Sequence, residues 1–265
     1  MSGAVYRPCL FCNKRGKSPE HLFGDWMKRA IPRKQNEKHY TYKETARGIA
    51  RGIGNGRAVA KRVKAPCTIC NNEWMGRIED AARIAITPLM HGSSTCVDEA
   101  QQAAIATWTC IKAMVWDYSQ TLRAIPQSDR DYVLENRKPP PDWRVWLTAT
   151  NAPFGHCEAY SAVRLFTRDN PDGSVWPEIT KDPMANSQSF LISSGPFATI
   201  TLRSPFLTQG ALFDPGETFR PIWPLTGKAD WPPKIVVPID EAYGVPDTFL
   251  DALARGLGIP VRRRG

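Results

Sequence analysis

"CTICNNEWM", Cys67 to Met75, sets a CxxC pair directly against two asparagines and the start of a helix-like run. A second pair, Cys9 and Cys12 in "YRPCLFCNKRG", lies upstream, with 54 residues between the two. Each CxxC delivers two thiolates from one tight turn, and four thiolates fill a tetrahedral zinc site with no open position. Such a site carries structure rather than chemistry, and the intervening chain must fold out and back to close it. The alternative is four unrelated buried cysteines. Cys96, Cys110 and Cys157 lack the spacing and read as core thiols.

The whole chain bounds the rest. At 265 residues it can bury a sizeable core in one large domain or two smaller ones, and 42% hydrophobic with 23% charged residues is the balance of a globular protein. Apolar runs are short and interrupted, so neither a transmembrane helix nor a membrane partner is expected. "MSGAVYRPCLFC" has no charged start followed by an apolar stretch, and seven cysteines with two CxxC pairs suit a reducing compartment. A cytoplasmic location is the expectation.

Charge is concentrated. From Lys28 to Lys64 twelve Lys and Arg face only Glu37 and Glu44, a local charge of +10 in a chain whose total is +9. Clustered cations reward a polyanion through counterion release, so Lys28, Arg29, Arg33, Lys34, Arg47, Arg51, Arg57, Lys61, Arg62 and Lys64 are candidate nucleic-acid contacts. Arg77, on the following helix, is a further candidate. A solvated basic loop that only aids solubility is the plainer reading. Within this segment "ARGIARGIGNGRA", Ala46 to Ala58, reads as a glycine-rich loop.

Past Cys70, Trp74, Ile78, Ala81 and Ala85 fall at helical spacing, with Asn71 inside their stripe. "DEAQQAAIATWTCIKAMVWDYSQTL" predicts an amphipathic helix with Ala104, Ile105, Trp108, Ile111 and Val115 on its apolar face. From about Pro139 the pattern turns to period two in "DWRVWLTAT", "AYSAVRLF", "SQSFLIS" and "FATITLRS". "RPIWPLTGKADWPPK" is too proline-rich for a central strand and reads as a connection. "PDTFLDALARGLG" predicts a closing helix. The predicted fold class is α+β. A zinc-stapled module with a basic insert spans 1–95, and a helical segment followed by a mostly antiparallel β domain spans 96–265.

A CxxC, a downstream Glu20-His21, then a CxxC followed at once by Asn71 resembles the HNH nucleases of the ββα-metal fold, and "SPEHLFGDWM…CTICNNEWMGRIED…PLM" looks like a group of phage and bacterial proteins labelled HNH-like. The resemblance covers about residues 5 to 90. It implies a β-hairpin and a helix around one divalent ion, Mg²⁺ or Mn²⁺, beside a structural zinc. It also implies a metal-dependent endonuclease acting on nucleic acid, DNA in the first instance. By the same resemblance His21 is the general base that activates water, and Glu20 and Asn71 are the ligands of the catalytic ion. The family's middle Asn has no counterpart in "KRVKAP" before the second CxxC. Two other readings stay open: a non-catalytic, zinc-dependent nucleic-acid-binding protein, and a phage or host-defence interaction module. "SPEH" also reads locally as a helix start, with Ser18 as cap and Pro19 at the first position.

Overall fold

The computed structural model describes residues 8–14, 16, 18–32, 38–45, 48–169, 175–176, 185–209 and 214–259, the side chains at 38–45, 48–55, 168–169, 175–176 and 209 excepted. The architecture is mixed helix and sheet. In chain order it begins with β1 (Pro19–His21), α1 (Asp25–Ala30), β2 (Lys38–Thr45), β3 (Gly48–Asn55) and β4 (Arg62–Lys64). A continuous helical stretch follows, made of α2 (Thr68–Cys70), a π turn (Asn71–Met75) and α3 (Gly76–Met90). Then come β5 (Thr95–Val97), α4 (Glu99–Tyr118), α5 (Gln127–Asn136), β6 (Trp143–Ala149), β7 (Cys157–Arg164), β8 (Arg168–Asp169) and β9 (Val175–Trp176). The chain closes with β10 (Ser187–Ser194), β11 (Phe197–Arg203), β12 (Arg220–Trp223), β13 (Ala229–Trp231) and α6 (Val245–Gly256).

The main sheet is antiparallel, ordered β12-β6-β11-β10-β7. Period-two alternation gives it two apolar faces rather than one. Trp143, Val145, Leu147, Phe190, Ile192 and Phe197 belong to the core that contains α4. Trp146, Leu191, Ile200 and Leu202 pack with Phe249, Leu250 and Leu253 of α6. Because the sheet is covered on both sides, every residue of β10 and β11 is buried, the serines of β10 and the threonines of β11 included.

Helix α4 is central. Asp98 and Gln101 form a reciprocal capping box at its start. From Ile105 to Asp117 every residue is buried, so the expected amphipathic helix is enclosed all round, with α3 on one side and the sheet on the other. Its core continues without a break from Cys9 and Trp26 of the N-terminal part to Phe197 and Trp231, across the division expected at 95/96.

Four local expectations change. "SPEH" is strand through His21, and the helix begins only at Asp25, after Gly24 (φ 71°). The stretch read as a glycine-rich loop pairs as strand, with β3 antiparallel to β2, and the residues joining them lie outside the described set. The proline-rich connection supplies β12, an edge strand where Pro221 costs no central hydrogen bond. Ala81, expected in the buried stripe, is exposed, while Ala82, Ala85, Ile86 and Leu89 are buried. The π turn accounts for this, because its extra residue per turn rotates the face that follows.

Trp108 lies in the middle of α4 at 1% exposure, tilted against Phe197 of the sheet. Trp108→Ala should lower unfolding free energy by about 3–5 kcal/mol in a urea titration, the range for a buried Trp whose cavity cannot collapse.

Candidate functional site

Two short turns bring four cysteines together. Cys9 and Cys12 bracket a turn at Leu10 and Phe11, and Cys67 caps the helical turn that ends at Cys70. All four Sγ atoms lie within 4.8 Å of one another, with Cys12 and Cys67 at 3.6 Å. Backbone N–H groups of Phe11 (3.4 Å) and Cys67 (3.1 Å) donate to Cys9 Sγ, and that of Cys70 (3.4 Å) donates to Cys67 Sγ. Such donors stabilise thiolate. Burial would raise the Cys9 thiol, but backbone N–H groups bring it down to about 7. Burial pushes Cys12 and Cys70 the other way, so the bare cluster resists full ionisation and a bound cation would relieve it. Four soft donors at this spacing suit a closed tetrahedral metal site. The neighbouring wall is aromatic: Phe11 meets Trp74 edge-on at 5.0 Å, and the Arg137 guanidinium sits 4.5 Å from the Trp74 ring centre.

The turns also decide where β1 runs. With Cys9–Cys12 held against Cys67–Cys70, Leu10 N–H donates to Ala65 O and Ser18 N–H to Pro66 O. The ladder β1–β4 follows, pairing Glu20 with Val63 and His21 with Arg62. Glu20 and His21 therefore face opposite ways. Glu20 points into the core, 5% exposed, where its carboxylate accepts from Lys112 Nζ of α4. His21 turns to the other side, its Nε2 3.2 Å from Asp25 Oδ1. Burial lowers the His21 pKa below the ordinary imidazole value, with Asp25 opposing and Arg62 and Lys28 adding to the fall. Its ring is thus neutral at pH 7.

Lys112 is enclosed at 1% exposure yet stays charged. Burial would lower its pKa, and Glu20 and Glu79 together hold it above the usual lysine value. Glu79 Oε2 accepts from Nζ at 2.9 Å, while Glu79 Oε1 accepts the Asp25 backbone N–H at 3.2 Å. Asn71, on the first residue of the π turn, donates from Nδ2 to Ser18 Oγ at 3.1 Å.

Compared with known proteins, the chain matches no family model, no curated protein and no solved structure. The site must be read from its own geometry.

That geometry brings His21 beside Asp25 and places Asn71 against β1 through Ser18. It does not assemble a second ion site from Glu20: the carboxylate is already paired with a buried ammonium. Among the described residues the four cysteines are the one group of three or more His, Cys, Asp and Glu side chains close enough to share an ion. The basic residues divide. Lys28 and Arg29 pair with Asp25 at 2.5 and 3.6 Å. Arg57 donates to the carbonyls of Lys28 (3.0 Å) and Ile31 (2.7 Å), capping the end of α1. Arg62, Lys64 and Arg77 are exposed and Lys61 is half-buried. Arg33, Lys34 and Arg47 lie outside the described residues, as does the side chain of Arg51.

Asp25, Glu79 and Lys112 escape a reading by motif. Lys112 had a signal, a single charge within the apolar "TCIKAMVW". Asp25 and Glu79 had none, because what places them is a turn and a helix packing. No helix among the described residues is long and apolar enough to cross a membrane.

Two measurements test this construction. Atomic absorption should find about one tightly held ion per chain. Cys67→Ser should lower that stoichiometry and the unfolding midpoint together. At Gly24 an added Cβ would meet Trp26 Nε1 at 2.8 Å and Glu79 Oε1 at 3.1 Å, with φ at 71°. Gly24→Ala should therefore cost about 1–3 kcal/mol in urea unfolding, from the positive φ and the displaced Glu79.

Proposed function

We propose that the chain is a zinc-stapled endonuclease of the HNH type, hydrolysing phosphodiester bonds in nucleic acid with His21 as general base. The observation that supports it best is a neutral imidazole at the end of a short strand, beside a carboxylate and within the field of Arg62 and Lys28. The order of parts agrees with the reading. Two antiparallel strands, β1 and β4, precede a helix that starts at the second cysteine pair, with the basic hairpin β2–β3 as a long insertion.

The chemistry follows from these groups. With Nε2 turned toward Asp25, Nδ1 is the nitrogen that takes the water proton as the water oxygen attacks phosphorus. Asp25, itself paired with Lys28, then stabilises the imidazolium, while the exposed Arg62 offsets charge growing on the phosphoryl oxygens. As the new P–O bond forms, the bond to the leaving alkoxide breaks. A hard divalent ion such as Mg²⁺ or Mn²⁺ would supply Lewis-acid stabilisation of that alkoxide. Glu20 does not fit as its ligand, because Lys112 holds it. Asn71 remains the candidate, through its amide oxygen.

His21→Ala should reduce cleavage of supercoiled plasmid and single-stranded DNA by about 100- to 10,000-fold, with metal content and gel-shift affinity unchanged. In wild type the rate should fall as pH drops through a His21 pKa lying below the ordinary 6.5, since protonation removes the base. Undiminished cutting by His21→Ala, with Mg²⁺ or Mn²⁺ present, would remove His21 from the reaction. A second reading, a non-catalytic nucleic-acid-binding protein on the same staple, is favoured by the engagement of Glu20. It predicts a salt-sensitive gel shift with no cleavage under either ion.

A further inference from the structure

A closed ring of contacts surrounds His21. Lys112 Nζ donates to the His21 carbonyl at 2.8 Å and to Glu79 Oε2 at 2.9 Å. Glu79 Oε1 accepts the Asp25 N–H at 3.2 Å, and Asp25 Oδ1 lies 3.2 Å from His21 Nε2. Glu20 accepts a third bond from the ammonium. All three ammonium protons thus have acceptors, and one acceptor is the backbone of the candidate base itself.

The neighbouring α4 residues from Ile105 to Val115 are uncharged and buried, so the charge of Lys112 belongs to the cluster it forms with Glu20 and Glu79 rather than to the apolar packing of the helix. Buried ion pairs contribute little net stability compared with apolar replacements, so what such a group supplies is a geometry. The ring spans three separate elements: α4 gives Lys112, α3 gives Glu79, and the turn from β1 into α1 gives His21 and Asp25.

We infer that Lys112 and Glu79 are positioning residues for the His21–Asp25 pair: Lys112 fixes the His21 backbone, Glu79 fixes the Asp25 backbone, and their mutual bond sets the separation of the two. What the pair does rests on the nuclease reading above, but its positioning does not. Gly24 belongs to the same device, since its missing side chain leaves room for Glu79.

The test uses the full chain carrying its metal. Lys112→Met and Glu79→Gln are compared with the neutral triple variant Glu20→Gln/Glu79→Gln/Lys112→Met, which leaves no unpaired buried charge. Metal content and urea unfolding report the fold. Chemical shifts of the His21 ring at fixed pH report the pair, and kcat and KM on plasmid DNA report the reaction. The triple variant should fold, keep its metal and shift the His21 ring resonances. It should also lose about 100-fold in kcat at unchanged KM, the loss expected from a misplacement near 1 Å. Wild-type ring shifts or wild-type kcat in a folded variant would overturn the assignment. So would a triple variant that fails to fold, because Lys112 would then be a requirement of the core. If wild type cuts nothing, the nuclease reading falls, and the ring shifts alone still decide the positioning.

Discussion

The convergence of four cysteine sulfurs within 4.8 Å is the constraint from which the N-terminal half follows. It joins a turn near the start of the chain to the first turn of a long helix, across 54 residues. Closing so long a loop is entropically costly unless a strong cross-link holds it, and a metal bound by the four thiolates would provide one. Once closed, the chain leaving Cys12 must run beside the chain arriving at Cys67. Nothing longer than a three-residue ladder is needed, and β1–β4 is that ladder.

From that short ladder the rest of the site is geometry. Alternation along a strand sends neighbours to opposite sides, so one residue of Glu20-His21 must enter the core and the other must leave it. Glu20 enters and meets Lys112. A buried carboxylate without a cation would be strongly destabilising, and a buried ammonium without carboxylates equally so; each makes the other tolerable. The polar cluster then pins α4, the most enclosed helix, to both the strand and α3. The cysteine cluster and the main sheet thereby share one continuous core, whose apolar surface supplies the bulk of the driving force.

Motif likeness and spatial neighbours assign Glu20 different partners. The motif resemblance makes it a metal ligand; the fold makes it the partner of Lys112, a lysine well beyond the second cysteine pair. His21 lies on the other side of the strand, beside Asp25 and within the field of Arg62 and Lys28. The basic segment likewise divides by contact. Arg57 caps the end of α1 and Lys28 pairs with Asp25, so a tally of positive charge overstates what is available to a polyanion.

What the sequence by itself determined is what depends on spacing of a few residues: two cysteine pairs spaced to share one ion, the helix after Asn71, the period-two strands at 143–149, 187–194 and 197–203, and the closing helix. In each the signal is local, because the geometry of a turn, helix or strand is set by its own neighbours. Only the tertiary structure decided that α4 is enclosed on every side, that the main sheet is covered on both faces, and that proline-rich residues form an edge strand. It also decided that Glu20, Glu79 and Lys112 meet around the backbone of His21. Those outcomes depend on which surfaces pack together, and a charge 92 residues from its partner leaves no periodicity to read.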